Sequence, residues 1–243
     1  MPAPVISVDN VGVRFQRDRG QKRTLKEMLS SKNRRPADEF WAFRNVSFDV
    51  AQGEAIGVVG RNGQGKSTLL KMVAEVLIPD EGSVAVRQGV APLIEITGGF
   101  VDDLSVRDNV FLAAGLHGKS KAEIAEEFDE IIEFAEIKDF VNTPYKHLSS
   151  GMKVRVAFSV IARLDEPILL VDEVLAVGDR GFRRKCYARI EEMLAEGRTM
   201  FFVSHSDGDL KRFCKRGLYL DKGALQFDGP IDQAFERYTT DYA

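Results

Sequence analysis

The stretch Gly60-Arg61-Asn62-Gly63-Gln64-Gly65-Lys66-Ser67-Thr68 has the residue types and spacing to hold a chain of phosphates. It satisfies the phosphate-loop (P-loop) pattern G-x-x-x-x-G-K-[ST], with Gly60, Gly65, Lys66 and Ser67 at the fixed positions. Glycines suit it because the backbone must fold closely round phosphate oxygens with its N–H groups, including those of Asn62 and Gly63, turned inward. Lys66 would reach the β- and γ-phosphates, Ser67 would ligate Mg²⁺, and the Thr68 hydroxyl could serve the α-phosphate. The chemistry implied is binding of a nucleoside triphosphate.

Such a loop works only between a strand and a helix, and both flanks are present. Ala55-Ile56-Gly57-Val58-Val59 is a short apolar run of the buried parallel-strand kind. Leu69-Leu70-Lys71-Met72-Val73-Ala74 is a good helix former, whose N-terminus adds its positive dipole end. Further on, Ile168-Leu169-Leu170-Val171 leads into Asp172-Glu173, and Met200-Phe201-Phe202-Val203-Ser204 leads into His205. Acids and a histidine at the carboxyl ends of buried strands stand where parallel α/β sheets place their ligands.

Val5-Ile6-Ser7-Val8 and Val11-Gly12-Val13-Arg14-Phe15 alternate as edge-type antiparallel strand, and Phe40 to Val50 forms a second strand region. Between them, Arg14 to Arg35 holds nine basic residues against two acids, either a solvated loop or a ledge for anionic headgroups or phosphorylated substrate. Val84-Ala85-Val86 and Pro92 to Ile96 are further short strands. Residues ~97–150 read as mostly helical, with a capping box at Ser120-Lys121-Ala122-Glu123 and a core-facing stripe of Ile124, Phe128, Ile131, Ile132 and Ala135. Leu218 to Phe227 reads as a hairpin, followed by a helix from about Ile231 to Tyr238.

With 243 residues and a formal charge of −3 spread over both signs, one α/β domain is expected, and nucleic acid is not an expected partner. The sequence has no run near the ~20 apolar residues that span a bilayer, so a soluble cytoplasmic protein is expected. Cys186 and Cys214 lack metal-ligand spacing and read as small core hydrophobes.

Leu148-Ser149-Ser150-Gly151-Met152 precedes Asp172-Glu173 by 20 residues, and His205 follows Glu173 by 32. This order resembles the ATPase domain of ABC transporters, with LSSGM in place of the usual LSGGQ signature. The resemblance implies an α/β P-loop NTPase of the ABC ATPase type: a RecA-like core, an antiparallel β-subdomain, and a helical subdomain inserted at about 97–163. It makes residues 1–243 a single nucleotide-binding domain. It further implies Asp172 as a metal ligand through water, Glu173 as the residue that polarises the attacking water, and His205 as a γ-phosphate contact. Ser149, Ser150 and Gly151 would meet the ATP held by a second copy, giving a two-fold dimer around two ATP molecules.

LSSGM, Val174-Leu175-Ala176-Val177-Gly178-Asp179 and the Phe182, Lys185, Cys186 spacing are similar to one branch, the ATPase subunits of bacterial polysaccharide exporters. That branch implies export of a lipid-linked glycan (O-antigen, teichoic acid, capsule or galactan) with a separate transmembrane permease, at the cytoplasmic face of the inner membrane. A drug or lipid exporter of related architecture is the alternative reading; a soluble ABC ATPase outside transport is a further one. The chain stops soon after its last expected helix, so an appended carbohydrate-binding domain is not expected. Where the family usually has a metal-contacting glutamine this chain has none, and Glu95 is the nearest polar candidate. For the aromatic that stacks on adenine, Phe15 and Trp41 both stand in range.

Overall fold

The computed structural model describes residues 3–17, 38–93, 98–172, 179–204 and 206–242. Glu95, Glu173 and His205 lie outside the described residues, as does all of the basic stretch after Arg17.

Two sheets organise the chain. The smaller has the order β2 (Asp38–Val50), β1 (Ile6–Arg17), β4 (Glu81–Val86), and is antiparallel throughout. β1 is therefore its middle strand and not the edge strand its alternation suggests: Ile6 pairs with Val50 on one side and Val86 on the other. Alternation reports which face of a strand is wet; it carries no information on how many neighbours the strand has in the plane of the sheet.

The larger sheet runs β5 (Val90–Leu93), β6 (Ile168–Val171), β7 (Thr199–Val203), β3 (Ala55–Val59), β8 (Arg216–Asp221), β9 (Ala224–Pro230). It is parallel except for the terminal β8–β9 hairpin. Its inner strands explain their unbroken apolar runs. Ile168 and Leu170 of β6 pack into one core with β1, β2 and helix α1 (Lys66–Val73), while Leu169 and Val171 face the opposite core. Phe201 and Val203 of β7 divide from Met200 and Phe202 in the same way. A strand buried on both faces has no polar face to alternate with.

Between β5 and β6 stand α2 (Val106–Leu116), α3 (Lys121–Ala135) and α4 (Ser150–Ile161). They enclose a separate apolar cluster that includes Ile124, Phe128, Ile131, Ile132 and Ala135 of α3. The α3 capping box is complete: the Ser120 hydroxyl accepts from Glu123 N–H, and the Glu123 carboxylate accepts from Ser120 N–H at 2.7 Å. Helix α4 joins this block to the sheet, giving Val156 and Val160 to the helical cluster and Ala157, Phe158 and Ile161 to the sheet core. The fully buried Asn109 ties down the approach to the block, accepting from Val101 N–H and donating to the carbonyls of Val101, Leu104 and Ser105. The chain closes with α5 (Arg180–Ala195), α6 (Asp207–Phe213) and α7 (Ile231–Asp241).

Candidate functional site

The turn from β3 into α1 is held open by two close backbone approaches. Gly60 has φ 150°, and a Cβ there would stand 2.3 Å from the Leu220 carbonyl oxygen of β8. Gly65 has φ 89°, and its Cβ would meet Phe43 at 2.9 Å and the Ala42 carbonyl at 3.0 Å. Any larger residue would push the loop off its supports. Gly65 is also the N-cap of α1 and offers no side chain to the first N–H groups, and the first turn carries no acid. That helix end therefore turns backbone N–H donors and positive potential toward an anion.

Lys66 is almost fully buried, and its Nζ donates to the carbonyls of Gly60 at 2.7 Å and Arg61 at 3.0 Å. Around it lies a cavity of about 390 Å³ lined by Phe15, Phe40, Ala42, Asn62, Gly63, Gly65, Lys66, Ser67 and Thr68. One wall is thus a lysine and a helix N-terminus. The other is a pair of half-exposed rings, Phe15 and Phe40, with centroids 5.8 Å apart. Anion-binding and apolar walls together fit a ligand with phosphates at one end and a flat ring at the other.

Trp41 does not reach this cavity. It stands over Arg44, whose guanidinium carbon lies 4.6 Å from the ring centroid, with Arg14 at 5.8 Å and Gly12 beneath. Strand alternation sends Phe40 and Trp41 to opposite faces of β2. Of the two sequence candidates for the stacking position, Phe15 lines the cavity and Trp41 does not. The ring that sequence reasoning missed is Phe40. It pairs with Phe15 across the strands because the β1–β2 register shifts by one residue between Val8/Phe48 and Arg14/Trp41, the extra residue lying on β2, and such bulges re-aim side chains.

Asp172 follows directly on β6, half-buried at the carboxyl end of the parallel sheet. Ser149, Ser150 and Gly151 stand at the start of α4 and are not among the residues lining the cavity. Ser149 is the N-cap, its hydroxyl accepting from Met152 N–H at 3.2 Å. Three residues on, Arg155 ties this helix to its neighbours. It donates to Glu136 at 2.6 Å and to Asp179, the N-cap of α5, and lies 4.9 Å over the Phe182 ring. Lys185 of α5 donates to Glu136 at 3.0 Å. The Lys185 and Arg155 cations hold the Glu136 carboxyl below its usual range; for Asp179 the Phe182 N–H leads and Arg155 adds to it.

A family model described as "ABC transporter" matches residues 43–176. The chain belongs to the ABC transporter family. Among ABC relatives, it is 39% identical over 238 residues to the "ABC transporter protein AbcA" of Aeromonas salmonicida, covering 98% of this chain and 77% of that one. It is 41% identical over 200 residues to the "O-antigen export system ATP-binding protein RfbB" of Klebsiella pneumoniae, covering 82% and 81%. The "Teichoic acids export ATP-binding protein TagH" of Listeria monocytogenes is 35% identical over 233 residues, covering 96% of this chain and 69% of that protein. Among solved structures, an ATP binding subunit of an ABC transporter superposes with a TM-score of 0.76 at 21% identity, covering 98% of this chain and 95% of that one. The dimeric ATP-binding cassette MJ0796, bound to ADP and Pi in a post-hydrolysis state, gives 0.73 at 20% identity, covering 93% and 98%. The fold is that of an α/β ABC ATPase cassette.

Proposed function

We propose that this chain is the ATP-hydrolysing subunit that powers export of a lipid-linked polysaccharide through a separate membrane-spanning permease. One observation carries the ATP half of that reading. A buried lysine, an uncapped helix N-terminus and two hydroxyls share a cavity with an aromatic pair. The polysaccharide half rests on relatives named for O-antigen and teichoic acid export, each 35–41% identical over most of this chain.

In this reading the triphosphate lies along the loop amides and Lys66, and the adenine lies against Phe15 and Phe40. Lys66 would exchange its loop carbonyls for phosphate oxygens as ATP arrives. Ser67, exposed in the first turn of α1, and Asp172, at the end of β6, offer hard oxygen donors of the kind Mg²⁺ takes. Bound there, Mg²⁺ would neutralise charge on the phosphate oxygens. Glu173 holds and polarises the attacking water, and His205 contacts the γ-phosphate; Glu95 is the remaining candidate near the metal.

Ser149, Ser150 and Gly151 lie at an exposed helix start outside the cavity of their own protomer. They act on the ATP of a second copy, so the working form is a two-fold sandwich around two ATP molecules. The permease docks beside Gly98, Gly99 and Phe100, where Val101 and Leu104 are exposed apolar residues. None of the described helices is long and apolar enough to cross a membrane, and the permease holds the subunit at the cytoplasmic face. The basic stretch to Arg35 contributes to recognition of the carrier lipid's phosphates; its Arg14 is engaged by Glu39 at 3.0 Å.

Two measurements test the reading. Glu173→Gln should form a dimer only with ATP present, seen by light scattering, and turn over little. A Glu173→Gln protein that hydrolyses ATP at the wild-type rate removes that assignment. In cells depleted of the protein, a Lys66→Ala copy should fail to restore surface polymer where a wild-type copy succeeds. Restoration by the Lys66→Ala copy contradicts ATP-powered export.

A further inference from the structure

Three contacts seat the phosphate loop from behind, and all come from the last fifth of the chain. The Gly60 backbone rests on the Leu220 carbonyl at the end of β8. The Gln64 side-chain carbonyl accepts from Lys222 N–H at 2.7 Å in the β8–β9 turn. The third contact comes from the end of α7: the Arg61 guanidinium carbon lies 4.8 Å from the centroid of the Tyr242 ring.

Tyr242 is itself held in place. Its hydroxyl donates to the carboxylate of Asp221, which is 4% exposed and ends β8. One residue earlier, Asp241 accepts from the Tyr219 hydroxyl at 2.9 Å, and Tyr238 packs between the Tyr219 and Tyr242 rings at 5.9 and 5.6 Å. A buried carboxylate needs its donor, so Asp221 and Tyr242 fix one another. The ring is then presented to Arg61 by a locked support.

Arg61 matters because its carbonyl is one of the two that hold Lys66. Its side chain is on the exposed outer side of the loop, away from the cavity lining. We propose that Tyr242 is a positioning residue for the phosphate loop, acting through Arg61. The ring keeps the loop in its open, amide-inward shape before nucleotide arrives, so that ordering the loop is not charged against binding. This inference rests on the ATP reading of the cavity. It also makes the end of α7 a place from which the loop can be loosened or stiffened without touching the nucleotide.

The test is a double-mutant cycle on the purified full chain with MgATP as the probe. Arg61→Met and Tyr242→Leu should each raise KM for ATP about 3- to 10-fold, the size expected of a cation–ring contact, with kcat within about twofold. The double variant should be no worse than the poorer single variant. Tyr242→Phe, which keeps the ring but loses the Asp221 bond that presents it, should fall between the wild type and Tyr242→Leu. Additive losses, an unchanged KM in both single variants, or a Phe variant as impaired as the Leu variant overturns the proposal. Should Tyr242→Leu fail to fold, Arg61→Met carries the test alone, because its side chain is exposed. A wild-type chain that neither binds nor hydrolyses ATP would overturn the nucleotide reading instead.

Discussion

The Lys66 ammonium donates to the carbonyl of Gly60, the residue that opens its own loop, at 2.7 Å. A buried cation that donates to carbonyl oxygens of its own loop can trade them for a stronger anionic acceptor. Lys66→Ala removes the one positive side chain among the described residues lining the cavity. It should lower ATP hydrolysis by about 100-fold or more, the scale seen when one charge-stabilising donor is deleted. A phosphate-release assay checks this, and near-normal turnover would place the chemistry elsewhere.

The ring wall makes its own prediction. Phe40→Ala and Phe15→Ala each remove one face of the 5.8 Å pair, and each should raise KM for ATP by about 3- to 10-fold at nearly constant kcat. Trp41→Ala should leave KM unchanged while lowering the unfolding midpoint, because Trp41 packs between two arginines outside the cavity. Steady-state kinetics beside thermal melts separates the two effects.

The ion cluster under the signature helix predicts a pH dependence. Glu136 and Asp179 have carboxyl pKa values lowered from their ordinary 4.5 and 3.8. A group depressed on folding stabilises the protein fully above its unfolded value, and the contribution is lost as pH falls through the folded one. Urea midpoints of the wild type should therefore hold down to about pH 5 and then fall. Arg155→Met removes a partner common to both acids, so its midpoint should start lower and fall less steeply on the acid side. Parallel wild-type and variant curves would show that the cluster adds nothing.

The two cysteines should be silent. Cys186 and Cys214 are buried among apolar side chains, and burial pushes both thiols up to about 12 from the ordinary 9. The thiolate is the reactive form, so the native protein should resist a thiol-specific reagent at pH 8 and react fully once unfolded in urea. Both groups are raised on folding, so their contribution is present below pH 9 and declines as pH rises toward 12. Rapid native labelling would contradict this burial.

Much of this was legible in the sequence because its signals are local. The glycine spacing from Gly60 to Gly65, the capping box at Ser120 and Glu123, and the apolar run of β6 are each settled by backbone chemistry within a few residues. What escaped depends on distant partners. β1 gives no sign in its own alternation that β4 pairs along its second edge. Phe40 pairs with Phe15 only through the shifted register between β1 and β2. The support of Arg61 by Tyr242 spans about three quarters of the chain, and neither residue type announces the other. Only the family resemblance proposes Ser149, Ser150 and Gly151 as a site for another protomer's ATP. Periodicity alone would have left them as an ordinary helix start with a serine cap.

The most direct test of polysaccharide export is depletion of this protein in its own organism, followed by mass spectrometry of carrier-lipid-linked glycans inside and polymer outside. The account predicts accumulation of a long intracellular lipid-linked glycan with loss of the same polymer from the surface. An unchanged glycan pool with normal surface polymer would contradict it and would leave the ATP site serving another cargo.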